Sequence, residues 1–252
     1  MNLQNNTVEH EAWLTIIVPV YNEEESLGHF RQEMDAFLNN SGRDGISVLF
    51  VNDGSIDGSQ ALIEAICRTD RRYGFIRLAQ NRGLSTAVKA GIDNCRSTLI
   101  GYIDSDLQTS PADFTTFFEF FPDYDMVNGI RTKRQDTIVK RMSSKFANSF
   151  RRLMINDHIV DTCCPLKIMK ADYARRIPFF KGTHRFLPAL IQLQGGKVKQ
   201  VAVAHFPRYA GTAKYNLWNR LLGPFFDTLA FIWMRKRYIN YKVANRSELN
   251  NA

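Results

Sequence analysis

The sequence predicts an α/β fold in which a mostly parallel central sheet is flanked by helices. Through the first half of the 252 residues, short apolar runs rich in β-branched residues alternate with amphipathic stretches of helical length. This alternation is typical of βαβ units, whose crossover helices join parallel strands. No linker or internal repeat divides the chain, so the second half is expected to complete the same folded unit.

The apolar periodicity places the individual elements. Strands are predicted at Leu14–Pro19, Ser47–Asn52, Phe75–Leu78, Leu99–Ile103 and, as a short strand, near Met126–Gly129. Helices are predicted at Glu23–Leu38, Gly58–Tyr73, Leu84–Asn94 and the basic stretch Ile138–Met154. Ser55 or Asp57 is expected to cap the second helix, and Pro111 is expected to begin a further one.

Composition limits the class of partner. A formal net charge of +8 favours an anionic partner, which could be a nucleotide, a lipid phosphate or a membrane surface. A nucleic acid is not expected as partner, because the basic residues are not interleaved with aromatic ones in a recognisable binding motif. If the protein is not an enzyme, the alternative is a module that binds nucleic acid or an anionic membrane. The four cysteines lack zinc-site or disulfide-framework spacing, which predicts reduced thiols.

The two ends of the chain indicate a location. The first eleven residues are polar and lack the apolar core of a signal peptide. The segment Leu221–Met234 is the longest apolar stretch, but it is shorter than the ~20 residues of a spanning helix and contains Gly223, Pro224 and Asp227. With the basic residues Arg235–Arg237 after it, the segment is predicted to lie on the cytoplasmic face of the cell membrane without crossing it. A core helix or a contact in a homo-oligomer is the alternative.

Three predicted strands end in polar residues, where parallel α/β sheets bind ligands. These ends are Pro19–Glu23, Asn52–Ser55 and Asp104–Gln108. Asp104 and Asp106 can face one hard cation such as Mg²⁺ or Mn²⁺, and Gln108 could add a neutral oxygen. A plain Asx-rich turn is the alternative for the pair alone, but the other two strand ends favour a metal site. No Gly-rich dinucleotide or P-loop motif is present, which disfavours those enzyme classes.

The ordered motifs of the chain resemble those of the inverting family-2 glycosyltransferases of GT-A fold. These motifs are PVYNEEES (Pro19–Ser26), VNDGSIDGS (Val51–Ser59), NRG (Asn81–Gly83), YIDSDLQTSP (Tyr102–Pro111) and GIR (Gly129–Arg131). Three later motifs are similar to those of the branch with dolichyl-phosphate mannose synthase and bacterial polyprenyl-phosphate glycosyltransferases: DTCCPLKIM (Asp161–Met169), HRFLPAL (His184–Leu190) and HFPRYAGTAKYN (His205–Asn216).

The resemblance implies roles for individual residues. Contacts with the nucleotide sugar are implied for Pro19, Tyr21, Glu23, Asp53, Asp104, Asp106 and Lys214. Contacts with an acceptor phosphate are implied for Arg131, Arg141, Ser144 and Arg208. The implied metal ligands are Asp104, Asp106 and Gln108, and the implied catalytic residues are Asp161, Asp104 and Asp106. Asp161 is either a general base or a residue that orients the acceptor or a basic partner. His184 and His205, each beside aromatic and apolar residues, are expected to be structural.

The activity implied is inverting, metal-dependent transfer of a hexose from a nucleoside diphosphate sugar, with UDP favoured, to a polyprenyl phosphate of undecaprenyl or dolichyl type. The alternative acceptor is a hydroxyl of a saccharide or lipopolysaccharide, which would require Asp161 as base. Residues 1–216 are expected to form the catalytic domain, with residues 12–125 for the nucleotide sugar and 126–216 for the acceptor. Residues 217–252 are expected to form an amphipathic helical segment at the membrane interface.

Overall fold

A computed structural model describes residues 12–121, 123–132, 154–207, 217–241 and 244. Its described strands form one seven-stranded sheet in the order β3-β2-β1-β4-β6-β5-β7. The strands are β1 Leu14–Val20, β2 Ile46–Asn52, β3 Tyr73–Arg77, β4 Leu99–Tyr102, β5 Met126–Arg131, β6 Lys167–Lys170 and β7 Val198–Val203. The helices are α1 Glu24–Asn40, α2 Ser59–Thr69, α3 Leu84–Asn94, α4 Thr115–Phe118, α5 Ala171–Arg175, α6 Leu187–Leu193 and α7 Leu217–Arg235, with 3₁₀ turns at Pro111–Phe114 and Thr183–Arg185.

The sheet is mostly parallel, as predicted. Strands β1 to β4 run side by side in parallel, and β5 pairs with β7 in parallel. The exception is β6, which lies antiparallel between β4 and β5. Because β1, β2 and β4 are parallel neighbours, their carboxyl ends open onto the same edge of the sheet.

Helix α2 is shorter than the predicted Gly58–Tyr73, and β3 begins earlier than expected. The helix ends at Thr69 because the Asp70 carboxylate accepts a hydrogen bond from the Arg72 backbone N at 2.8 Å and closes a turn. Tyr73 is then free to begin the strand. At the other end of α2 the N-cap residue is Gly58, so the predicted cap at Ser55 or Asp57 is wrong. The Asp57 carboxylate instead accepts from Ser59 N at 3.0 Å just before the helix.

The core lies on both faces of the sheet. Along β1, Ile16 and Val18 point into one buried cluster and Ile17 points into the other. A parallel strand covered on both faces reads as a continuous apolar run, which is why β1 could be recognised without an alternating pattern. Because β1 is buried on both of its faces, the polar residues that follow it leave the core at the edge of the sheet.

Helix α7 contains the apolar segment that the sequence singled out. One side of the helix packs on the sheet domain: Phe231 is buried and stacks on Phe186 with ring centroids 5.1 Å apart, and Asp227 forms an ion pair with Arg185. No helix in the described part of the chain has both the length and the apolar character needed to cross a bilayer. All four cysteines are free thiols, in agreement with the prediction.

Candidate active site

The first two polar strand ends are joined by hydrogen bonds. Asn22 N donates to Ser55 Oγ at 3.0 Å, and Ile56 N donates to Asn22 Oδ1 at 2.9 Å. Glu23 N donates to Ser59 Oγ at 2.9 Å at the start of α2. These contacts fix the turn after β1 against the turn after β2. Pro19, near the end of β1, and Tyr21 and Glu23, in the turn after it, are half-buried, and their implied nucleotide contacts stay predictions.

Asp53 supports the loop that follows β3. Its carboxylate is buried and accepts from Arg82 N at 2.8 Å, Gly83 N at 2.7 Å and Asn81 Nδ2 at 3.0 Å. Gly83 has φ of +88°, a backbone conformation that favours glycine and lets its N–H point back at Asp53. The NRG motif is thus the segment that Asp53 organises, and direct contact of Asp53 with a nucleotide stays a prediction.

The third strand end holds two acidic side chains close together. Asp104 Oδ1 accepts from Tyr102 Oη at 2.7 Å, and Asp106, 7% exposed, accepts at Oδ1 from Gln108 N at 3.2 Å. Burial and the neighbouring charge of Asp106 raise the pKa of Asp104 to about 6. The Asx turn considered as the alternative is therefore present, and it brings together two carboxylates that repel each other.

This set of oxygen atoms fits a magnesium-type ion better than a closed structural site. Within the described ranges, no group of three or more His, Cys, Asp or Glu side chains is arranged to hold a metal ion. Mg²⁺ and Mn²⁺ are commonly held by one or two carboxylates, with waters and substrate phosphates completing the shell. Asp104 and Asp106 are predicted to provide that partial set, and a cation there would offset both the burial and the neighbouring charge that raise the pKa of Asp104.

The raised pKa of Asp104 predicts a pH dependence of metal binding. A cation competes with the proton for the carboxylate, so Mn²⁺ affinity should fall about tenfold for each pH unit below roughly 6. Tyr102→Phe removes the phenol that stabilises ionised Asp104 and should move this fall to higher pH. Calorimetric titration from about pH 5 to 7.5 measures both effects. A flat affinity over that range would contradict the assignment of Asp104.

Asp161 is held by Arg131 in a buried ion pair. Arg131 Nε donates to Asp161 Oδ2 at 2.8 Å and Nη2 donates to Oδ1 at 2.9 Å, and the two side chains are 11% and 8% exposed. Burial alone would raise the pKa of Asp161, but the guanidinium overcomes that effect and holds the pKa below its ordinary value. Asp161 is therefore a weak proton acceptor in this arrangement, which favours the orienting role over the base.

A buried lysine lies beneath this ion pair. Lys167 is fully buried on β6, between Tyr102 of β4 and Asn128 of β5 in the sheet register. Its Nζ donates to Asn128 Oδ1 at 2.8 Å, to the carbonyl oxygen of Thr162 at 3.1 Å and to that of Cys164. Neither Lys167 nor Asn128 was predicted from the sequence; the lysine inside the apolar run LKIM is the signal that could have identified the first.

The two histidines of the later motifs, His184 and His205, form hydrogen bonds within the fold. His184 Nδ1 lies 2.8 Å from Ser85 Oγ, and burial followed by the nearby Arg185 lowers the pKa of His184 to about 3. His205 Nδ1 donates to the carbonyl oxygen of Gln108 at 3.0 Å and so fixes the turn that holds Asp106. Whether the Gln108 side chain binds a metal stays a prediction. Four residues with implied contacts to the acceptor phosphate or the nucleotide sugar lie outside the described residues: Arg141, Ser144, Arg208 and Lys214.

Comparison with known families identifies the class of protein. The sequence profile described as Glycosyl transferase family 2 matches residues 15–177, more than half of the chain. The chain belongs to this family. It is a glycosyltransferase, and the family resemblance inferred from its motifs is confirmed.

Its named relatives include bacterial lipid-phosphate sugar transferases. An undecaprenyl-phosphate 4-deoxy-4-formamido-L-arabinose transferase of Pectobacterium carotovorum is 28% identical over 218 residues, which cover 86% of this glycosyltransferase and 66% of the relative. A dodecaprenyl-phosphate galacturonate synthase of Rhizobium johnstonii is 28% identical over 231 residues, which cover 88% of this chain and 67% of the relative. The chain thus spans about two thirds of the length of these relatives.

Solved structures confirm the GT-A fold of the glycosyltransferase. A mannosyltransferase from Pyrobaculum calidifontis in complex with GDP-Man and Mn²⁺ superposes with a TM-score of 0.63 at 16% identity, covering 88% of this chain and 64% of that one. Glucosyl-3-phosphoglycerate synthase from Mycobacterium tuberculosis, in complex with Mn²⁺, UDP and glucosyl-3-phosphoglycerate, gives a TM-score of 0.65 at 13% identity, covering 88% of this chain and 79% of that one. At these identities the likeness establishes the fold alone.

Proposed function

We propose that this glycosyltransferase transfers a hexose from a nucleoside diphosphate sugar, with UDP favoured, to a polyprenyl phosphate of undecaprenyl or dolichyl type, with inversion at the anomeric carbon. The observation that supports this most is the Arg131–Asp161 ion pair, which makes Asp161, the residue expected to act on a hydroxyl acceptor, a poor general base. A hydroxyl acceptor needs such a base, whereas a phosphate has a second pKa of about 6 and is already largely anionic near neutrality. The relatives from Pectobacterium carotovorum and Rhizobium johnstonii, which are named for undecaprenyl phosphate and dodecaprenyl phosphate, support the same acceptor class.

The described residues fit a single displacement. An oxygen of the acceptor phosphate attacks the anomeric carbon, and the bond to the leaving nucleoside diphosphate breaks on the opposite face. The turns after β1 and β2, joined through Asn22 and Ser55, would orient the donor, and Arg131 would face the acceptor while Asp161 fixes its guanidinium. A divalent cation held by Asp104 and Asp106, with Gln108, would supply charge neutralisation of the diphosphate.

Product analysis tests the proposed acceptor. The protein, Mn²⁺ and a labelled nucleotide sugar are incubated with undecaprenyl phosphate or with undecaprenol, which lacks the phosphate. We expect a sugar-phosphate-lipid product only with the phosphate, released as free sugar by mild acid. Transfer to undecaprenol or to a saccharide hydroxyl, with none to the phosphate, would contradict the proposal. A panel of donors in the same assay identifies the sugar.

We further propose that the exposed face of α7 lies in the membrane surface. Phe226, Leu229 and Trp233 are spaced along one face of the helix and are 63%, 40% and 61% exposed. The Arg237 guanidinium lies 4.8 Å from the Trp233 ring centroid, which places a cation beside the apolar face. Apolar side chains next to basic ones suit the boundary of an anionic bilayer, on the cytoplasmic side where the donor would be available.

The membrane proposal predicts a loss of vesicle binding. Replacing both Phe226 and Trp233 by Glu should weaken binding to vesicles with anionic lipid by at least about tenfold, because each side chain would bury apolar area worth about 1.5 kcal/mol or more. Leu62→Glu, at a 37% exposed position of α2, is the matched control and should not change binding. Co-sedimentation with the vesicles measures the binding of each variant. Equal binding of the double variant and the control would contradict a membrane role for α7.

A further inference from the structure

Lys167 is a fully buried charged residue of the sheet, and the proposed displacement gives it no role. Its side chain is fully buried, and burial lowers the pKa of its ammonium, although Cys164 and Asp161 nearby partly oppose that effect. Its partners among the described residues are three neutral oxygens, so no carboxylate offsets the desolvation directly. The strand neighbours Ile168 and Met169 are apolar. A methionine at this position would be buried without the desolvation free energy of a charged group. Stability of the core therefore does not explain the lysine, and its hydrogen bonds are the remaining reason for it.

The contacts of Lys167 all lead to one loop. Its ammonium binds the carbonyl oxygens of Thr162 and Cys164, in the segment 161–164. Asn128, which accepts from Lys167, donates its amide to the carbonyl oxygen of Asp161 at 3.0 Å. Three carbonyls of four consecutive residues are therefore held by one buried pair. The side chain of Asp161 is left to hold Arg131.

We infer that Lys167 and Asn128 are positioning residues for the acceptor side of the site. They hold the 161–164 loop so that Asp161 keeps the Arg131 guanidinium in the orientation that meets the acceptor phosphate. This inference rests on the proposed function. Lys167 does not touch a substrate, because it has no exposed surface; it acts through the loop and through Asp161.

A positioning role predicts a selective kinetic defect. Lys167→Met should raise the KM for polyprenyl phosphate at least about tenfold, because the variant loses three hydrogen bonds and one from a charged donor is already worth that much. It should leave the donor Kd within about threefold. Lys170→Met is the matched control, since Lys170 lies on the same strand but pairs with Asp125 at 2.9 Å. The control should keep both constants. If Lys167→Met does not fold, Asn128→Asp keeps an acceptor for Lys167, removes the link to Asp161 and should give the same selective rise.

Thiol alkylation gives a test that does not depend on the acceptor. Cys164 lies in the loop and Cys95 directly follows α3, and both are buried. Lys167→Met should speed iodoacetamide labelling of Cys164 about tenfold relative to Cys95, read by mass spectrometry. A donor Kd weakened as much as the acceptor KM, or an unchanged acceptor KM in an active enzyme, would overturn the inference. If the wild-type protein does not use polyprenyl phosphate, the proposed function fails, and an unchanged Cys164 labelling rate then overturns the loop assignment as well.

Discussion

Asp106→Asn is expected to reduce sugar transfer by at least about a thousandfold, because a metal-held diphosphate contributes several kcal/mol to leaving-group stabilisation. The substitution removes the charge but keeps an oxygen that can accept from Gln108 N, so the turn after β4 should remain folded. Activity is measured as kcat/KM with Mn²⁺, and metal affinity is measured by calorimetry. Both should fall together.

The control for this variant is Asp172→Asn on α5, whose side chain is 91% exposed. It follows the end of β6 that lies beside the start of β4, at the edge of the sheet opposite to Asp106. Its activity should match the wild-type protein. An Asp106→Asn protein that binds Mn²⁺ with unchanged affinity would show that the cation lies elsewhere. Unchanged activity would show that a cation at this position is not required.

Asp161→Leu is expected to lower the free energy of unfolding by about 3–5 kcal/mol, because it leaves the guanidinium of Arg131 buried without its partner. The double variant Arg131→Met with Asp161→Leu should recover most of that loss, since two apolar groups replace both charges. Urea denaturation of the two single variants and the double variant gives the coupling energy. Single variants within about 1 kcal/mol of the wild-type protein would contradict a buried, structurally important pair.

The stabilisation by the Arg131–Asp161 ion pair depends on pH only in acid. The pKa of Asp161 is lowered in the folded protein, so its contribution to stability is fully present above the unfolded value of about 3.9 and is lost as the pH falls through the lower folded value. The stability difference between wild-type and Asp161→Asn proteins should be constant from about pH 5 to 8 and shrink only in stronger acid. A difference that changes near pH 6 or 7 would indicate that Asp161 titrates there and could act as a base.

The nucleotide half of the fold could be predicted because its strands are buried on both faces. Continuous apolar runs identified β1, β2 and β4, and the helix at Leu84–Asn94 has the predicted bounds. Strands β6 and β7 were not predicted, for physical reasons that differ. In β6 a buried lysine interrupts the apolar pattern, and in β7 most side chains are only half-buried, so its sequence resembles a loop.

The site was predictable where its residues are close in sequence. Asp104 and Asp106 follow one strand, and the turn that joins them is local. A further charge that acts on Asp104 comes from a distant segment: Lys167 lies beside Tyr102 only because β6 inserts antiparallel between β4 and β5. No pattern within a short window reports such a pairing. The effect of Arg131 on the pKa of Asp161 likewise depends on a contact across 30 positions of the chain.

The position of the donor at the carboxyl ends of β1, β2 and β4 is tested most directly by a crystal structure with UDP and Mn²⁺. We expect an anomalous Mn²⁺ peak next to the Asp106 carboxylate, with the diphosphate oxygens on its other side and the nucleoside over the turn after β1. A Mn²⁺ peak or a nucleotide at any other edge of the sheet, with the Asp106 carboxylate still in contact only with protein, would contradict this position.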